Sequence, residues 1–152
     1  MLASGQSKGL PTLVDYATLG AKQQEIYNFQ KVAALLADYG FNCIKLADDW
    51  NGADFIADHL GGDLTLRVQL KGRLTIAKKY SGKALQIAFP IKEVWYIVDH
   101  DQLVEFCGVH TDWLKTSSWV VGGHYSSMSA NPGLKAALAP FALGSLSITH
   151  SQ

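Results

Sequence analysis

The sequence predicts an α/β fold of the α+β kind, with a central mixed sheet flanked by helices. Three observations carry that prediction. One stretch repeats its apolar residues at the period of about 3.6 that marks a helix. Several other runs alternate at the two-residue period of a strand and are separated by Gly-rich turns. A Pro-led apolar stretch near the end reads as a further helix. The chain has 152 residues, the length of one domain.

Taken in order, residues 1–9 are small and polar and are expected to form a disordered tail ahead of a single domain at 10–152. Leu10 to Leu19 reads as a short helix or an extended arm after Pro11. From Lys22 to Tyr39 lies the clearest helix. Glu25, Phe29, Val32 and Leu36 fall at i, i+4, i+7 and i+11, and Ile26, Ala33 and Leu35 widen the stripe. Gly40 is a suitable stop. Phe41 to Ala47 reads as a strand, Asp48 to Gly52 as a turn, and Ala53 to Leu60 as a second strand. Gly61, Gly62 and Asp63 make a tight hairpin turn. Leu64 to Leu74 then alternates without a break. Leu66, Val68 and Leu70 point one way, and Thr65, Arg67, Gln69, Lys71 and Arg73 the other.

Leu85 to Phe89 is a fourth strand, expected to end at Pro90. Val94 to Val98 and Leu103 to Cys107 read as a strand pair around Asp99, His100 and Asp101. Thr111 to Leu114 reads as a helical turn and Trp119 to Val121 as a last strand. A polar loop over Ser126 to Asn131 leads into a helix over Pro132 to Leu143. Asn131 caps it and Pro132 takes its first position. The stretch from Gly144 onward carries no readable pattern.

Composition excludes several classes. No apolar run approaches the roughly 20 residues of a membrane span. The start lacks the charged and apolar regions of a signal peptide, so a cytoplasmic protein is expected. Cys43 and Cys107 sit in separate apolar runs and are expected as buried, reduced thiols. His100, His110, His124 and His150 share no ligand spacing, so no zinc site is indicated. Ser126, Ser127 and Ser129 lie near His124 without any nucleophile elbow around them. Phe89, Trp95, Tyr96 and Phe106 are expected in the core.

Lys+Arg and Asp+Glu both number 13, so the formal charge is zero. This does not suit a protein that coats nucleic acid non-specifically. The charge is nevertheless uneven. Asp48, Asp49, Asp54, Asp58 and Asp63 precede a run of Lys71, Arg73, Lys78, Lys79 and Lys83 that holds no acid. Such a division fits a metal site beside a phosphate-binding patch; it also fits a solvated loop.

The stretch Trp50 to Arg73 places Asp54 early in one strand and Gln69 and Lys71 two apart on one face of the next. Phosphodiester hydrolysis needs an activated water, stabilised charge on phosphorus and a neutralised leaving oxygen. A divalent ion on oxygen ligands with a nearby ammonium supplies these. Asp54 offers a carboxylate, Gln69 an amide oxygen, Leu70 a backbone carbonyl and Lys71 the ammonium. Glu25 can add a carboxylate from the helix, although an acid near a helix N-terminus also has the helix dipole to explain it. Equally, the Gln69–Lys71 face can be read as the wet side of an amphipathic strand.

From Glu25 to Val98 the chain resembles the PD-(D/E)XK nuclease superfamily. The resemblance rests on the acidic helix, Gly52-Ala53-Asp54, the hairpin, and Val68-Gln69-Leu70-Lys71. It is greatest to the small members, Holliday junction resolvases and homing or restriction endonucleases. What it implies is a restriction-endonuclease-like core, a Mg²⁺ (or Mn²⁺) cofactor and cleavage of DNA, double-stranded or branched. It further implies Asp54, Gln69, the Leu70 carbonyl and Glu25 as metal ligands and Lys71 as the catalytic lysine. Arg73, Lys78, Lys79 and Lys83 would hold backbone phosphates, and a homodimer or higher homo-oligomer would match the two strands of a duplex. Gln69 stands where the family usually has an acid, lowering the site's charge by one. A non-catalytic module binding nucleic acid or protein is therefore the alternative, and an unrelated α+β domain the third.

Overall fold

In a computed structural model, residues 9–144 of the chain are described. The expected tail, apart from Gly9, lies outside the described residues, as does the unpatterned stretch after Gly144, His150 included. Leu10 to Leu19 is mostly extended, with one 3-10 turn at Tyr16–Thr18. Helix α1 follows at Ala21–Ala37 and buries Val32 and Leu36 as its period predicts. Beyond it Gly40 takes φ +90°, and a Cβ there would lie 2.9 Å from the His59 ring, so the stop requires glycine on two counts.

The strands are β1 (Phe41–Trp50), β2 (Ala53–His59), β3 (Thr65–Leu70), β4 (Leu74–Ala77), β5 (Gln86–Ile91), β6 (Val94–Asp99) and β7 (His124–Ser127). Five of them form a mixed sheet in the order β1-β2-β3-β5-β6. Its β3–β5 pair is parallel and the other pairs are antiparallel. A second sheet consists of β4 and β7. Helix α2 spans His100–His110, α3 Ser117–Val120 and α4 Pro132–Leu138. Helix α1 packs Val32 and Leu36 on Phe55, Ala57, Val68, Leu70 and Ala88. The other core joins Ile87, Phe89 and Val98 to Leu74 and Ile76 of β4, to Leu103 and Cys107 of α2, and to Leu134 and Leu138 of α4. Each fully buried Leu or Val adds about 1.5–3 kcal/mol. The expected mixed sheet flanked by helices is thus observed.

Several local expectations change. Strand β1 runs on through Asp48, Asp49 and Trp50, because the reversal needs only Asn51 (φ 53°) and Gly52 (φ 88°). Asn-Gly with both residues left-handed is a strong two-residue hairpin turn, and Asp49 Oδ1 accepts from Gly52 N at 2.7 Å. The long alternating run splits: β3 stops at Leu70, and after Gly72 and Arg73 the chain leaves the main sheet to pair with β7 as β4. Strand β5 passes through Pro90. Ala88 turns its polar groups toward β3, where its carbonyl accepts from Lys71 N, so Pro90 turns the same way beyond the end of β3, where no N–H is needed.

Leu103 to Cys107 is helical, not a strand. Asp99 caps Gln102 N, and Leu103 and Cys107, four apart, are buried on one face. Trp119 and Val120 lie in α3, capped by the Thr116 hydroxyl, and the last strand is His124–Ser127, expected as loop. Helix α4 ends earlier than expected, passing into a 3-10 turn at Ala139–Phe141 as Pro140 intervenes. Both cysteines are free; Cys107 is buried, which pushes its thiol up to about 12, while Cys43 is half-buried. Phe89 and Tyr96 stack in the core, while Trp95 and Phe106 are half-buried.

His100 is buried and its Nε2 accepts from Ala77 N at 3.1 Å, so the ring proton sits on Nδ1, which faces Asp101 Oδ1 at 3.2 Å. Burial lowers its pKa, against an opposing pull from Asp101. A base depressed in the fold stabilises it above the unfolded pKa of about 6.5, and that contribution is lost as pH falls further. The unfolding free energy from urea titrations is therefore expected to drop as pH falls from about 7 to 5.5, by up to about 1.4 kcal/mol per pH unit. The drop should shrink in His100→Gln, which keeps an acceptor but does not titrate. Equal slopes in the two proteins would remove His100 as the cause.

Candidate functional site

The site forms where β2 begins and β3 ends. Phe55 pairs with Val68 in the antiparallel register, which sets Asp54 opposite Gln69. Asp54 Oδ2 accepts two hydrogen bonds of 2.8 Å, from Gln69 Nε2 and from Leu70 N. Gln69 is 7% exposed, while Thr65 on the same face is exposed and Arg67 half-buried, so the strand's wet side ends before Gln69. Its Oε1 is the one buried side-chain polar atom among the described residues with no hydrogen-bond partner. The Asp54 carboxyl is held above the usual carboxylate range, first by burial and also by the like charges of Glu25 and Asp49. The Leu70 N–H and Lys45 pull the other way.

Glu25 stands on the ridge between two clefts. One, of about 240 Å³, is lined by Glu25, Asn28, Leu70, Lys71, Gly72 and Tyr16 among others. The other, of about 530 Å³, includes Glu25, Lys45, Asp48, Asp49 and Asp54. Its carboxylate pairs with Lys22 at 3.1 Å across an exposed turn of α1. It lies one residue beyond the first turn of the helix, so the dipole alone does not account for it. Lys71 follows β3 directly and places its ammonium 5.5 Å from the centre of the Tyr80 ring.

The expected phosphate-binding residues Arg73, Lys78, Lys79 and Lys83 are all exposed. Lys78 reaches the other way, donating to the Val120 carbonyl at 3.2 Å over the Trp119 ring. Lys79 shares the Tyr80 ring with Lys71, at 5.3 Å. Arg67, unassigned from sequence, lies over Trp50 and donates to the Lys83 carbonyl.

Three more residues escaped the sequence reading. Asn28 is buried in the cleft wall and donates to the Tyr16 hydroxyl at 2.9 Å. Its place three residues after Glu25 was a usable signal, since i and i+3 share a helix face. Tyr16 and Tyr80 carried none, because only the packing brings them here.

The donor set suits a hard divalent cation such as Mg²⁺ or Mn²⁺. Asp54 Oδ1 accepts no hydrogen bond among the described residues, the Leu70 carbonyl accepts from Gln69 Nε2 at 3.4 Å, and the orphaned Gln69 Oε1 belongs to that same amide. Turning that amide over would set oxygen against oxygen, an arrangement a cation between them would stabilise. No group of three or more His, Cys, Asp or Glu side chains among the described residues is placed to hold a metal, so any cation here would need neutral oxygens among its ligands.

No protein-family model and no curated protein sequence matches the chain. Among the solved structures that resemble it are two at low identity. One is Hjc, a Holliday junction resolvase from the archaeal hyperthermophile Archaeoglobus fulgidus. It is 16% identical, covers 51% of this chain and 73% of its own, and has a TM-score of 0.42. The other is the bacterial homing endonuclease I-Ssp6803I, 12% identical over 74% of this chain and 79% of its own, with a TM-score of 0.46. Among the described residues no helix is long and apolar enough to cross a membrane.

Proposed function

We propose that the chain is a divalent-metal-dependent endonuclease that hydrolyses phosphodiester bonds in double-stranded or branched DNA. The observation that carries this reading is the half-buried Asp54 carboxylate, destabilised in its charged form, joined to Gln69 and Leu70 beside Lys71. A fold keeps a charge at such a cost where the charge has work to do. The resemblance of Gly52 to Asp54 and Val68 to Lys71 to the PD-(D/E)XK pattern supports the same reading.

Asp54, the Leu70 carbonyl and the turned amide of Gln69 would hold Mg²⁺ or Mn²⁺, with Glu25 reaching it directly or through water. The bound ion supplies Lewis acidity and a more acidic water. The remaining work falls to the protein. Asp54 and Glu25 orient a water in line with the phosphorus. As the water oxygen bonds to phosphorus it would give up a proton to the surrounding solvent, the P–O bond to the leaving oxygen would break and that oxygen would take a proton back from solvent, while Lys71 donates to a non-bridging oxygen and stabilises the added charge. Lys79, Arg73 and Lys83 hold neighbouring phosphates. A homodimer would place one such site on each strand of a duplex.

The test uses supercoiled plasmid and a four-way junction with Mg²⁺ or Mn²⁺, comparing wild type with Lys71→Ala. Wild type is expected to nick or cut, and the variant to lose at least about a hundredfold in rate. Equal background cleavage by both proteins would falsify the proposal. The second reading, a non-catalytic nucleic-acid-binding module, is favoured by the Gln69 Nε2 that fills one Asp54 oxygen. Salt-sensitive DNA binding that needs no metal and leads to no cleavage would select it.

A further inference from the structure

Two lysines converge on a single buried ring. Tyr80 is 4% exposed, and the ammonium groups of Lys71 and Lys79 lie 5.5 and 5.3 Å from its centre. The two lysines come from different elements, one from the end of β3 and the other from the 3-10 turn Lys78–Tyr80. That turn is itself held at both ends by one pair of residues. Ala77 N donates to His100 Nε2 at 3.1 Å, and Gly82 N donates to Asp101 Oδ2 at 3.0 Å. The His100 ring meets Tyr80 edge-on, 5.6 Å between centres and 83° between planes. On another side the Tyr80 ring reaches Gly52, two residues before Asp54. A Cβ on Gly52 would lie 3.4 Å from Tyr80 Cδ1. Tyr80 therefore lies near the turn that starts the Asp54 strand, the lysine that follows the Gln69 strand, and a second lysine.

We infer that Tyr80 is a positioning residue that holds Lys71 and Lys79 together over one stretch of phosphodiester backbone. This inference rests on the nuclease reading of the site and names what aims its cations. An aromatic face attracts an ammonium through its quadrupole, and more strongly when the ring is desolvated, as here. A lysine side chain is otherwise long and mobile, with much rotamer entropy to lose on forming one geometry. The ring removes part of that loss before substrate arrives. Lys71 then meets the scissile phosphate, and Lys79 the phosphate next to it.

The experiment compares Tyr80→Phe, Tyr80→Leu and Lys79→Gln in single-turnover cleavage and in DNA binding across salt concentrations. Phenylalanine keeps the ring and should stay within about twofold of wild type. Leucine removes the ring and should lower the rate about tenfold to thirtyfold while binding changes much less, since both ammoniums remain charged. Lys79→Gln should reduce the salt slope of binding by about one. A leucine variant as fast as wild type, or a phenylalanine variant as slow as leucine, would overturn the proposal.

One measurement needs neither cleavage nor a folded leucine variant. In wild type labelled at lysine, the ε-methylene protons of Lys71 and Lys79 should be shifted upfield of the other lysines by the ring, and stay so in Tyr80→Phe. Ordinary shifts for both would overturn the inference. Shifted lysines in a protein that cleaves nothing would sink the nuclease reading and leave the lysine clamp standing.

Discussion

Asp54→Asn is expected to abolish metal-dependent cleavage and leave the fold no less stable. The Asn Oδ1 can still accept from Leu70 N and Gln69 Nε2, so the hydrogen bonds that close the start of β2 on the end of β3 survive. What disappears is the charge. The Asp54 carboxyl is raised above its ordinary range by burial, with Glu25 and Asp49 adding to the shift. An acid whose folded pKa is raised stabilises the fold below its unfolded value, and that contribution is lost as pH rises through the folded value. At neutral pH the carboxylate therefore weighs against folding, and its removal should raise the melting temperature by about 1–3 °C. Cleavage should fall by roughly a thousandfold, because the carboxylate that would anchor the metal is gone. Thermal melts beside plasmid cleavage separate the two effects. A variant that loses activity only because it melts several degrees lower would assign Asp54 a structural role.

Gln69→Glu is expected to make stability depend on metal. In wild type the amide donates to Asp54 and needs no ion to do so. A glutamate at this buried position loses that donor and sets a second carboxylate against the first, a like-charge pair in a nearly dry place. Without metal the melting temperature should drop by about 5–10 °C, and excess Mg²⁺ should restore much of it by binding only the folded state. Cleavage should then appear at lower Mg²⁺ than wild type requires. Melting curves with chelator and with Mg²⁺ decide the point. A variant that melts alike in both would show that Asp54 and residue 69 do not share a cation, and would favour the non-catalytic module.

Much of the architecture was legible because it is local. The Val32 and Leu36 stripe, the Gly40 stop and the Gly61–Asp63 turn follow from periods and turn residues, whereas a three-residue turn would set Asp54 opposite Leu70, one residue away from the observed register. The errors have local signals too, outvoted by hydrophobicity. Asp99-x-x-Gln102 marks a helix start, and Asn51-Gly52 marks a two-residue hairpin. Short apolar runs such as Leu103 to Cys107 are compatible with strand or helix, and only their packing decides.

Within the site, the sequence by itself determined, to within one residue, which groups stand side by side. Asp54, Gln69 and Leu70 meet because strand pairing has a fixed register, and a hairpin with a short turn leaves little freedom in it. The tertiary structure alone decided everything that joins separate elements. It ended β3 at Leu70 and sent Leu74 to Ala77 to a second sheet, buried Gln69, and turned Lys78 toward Trp119. It also brought Lys71 and Lys79 to one ring, that of Tyr80. The physical reason is that these placements depend on which surfaces can be buried against one another across the whole chain, and no period or spacing along the sequence records that.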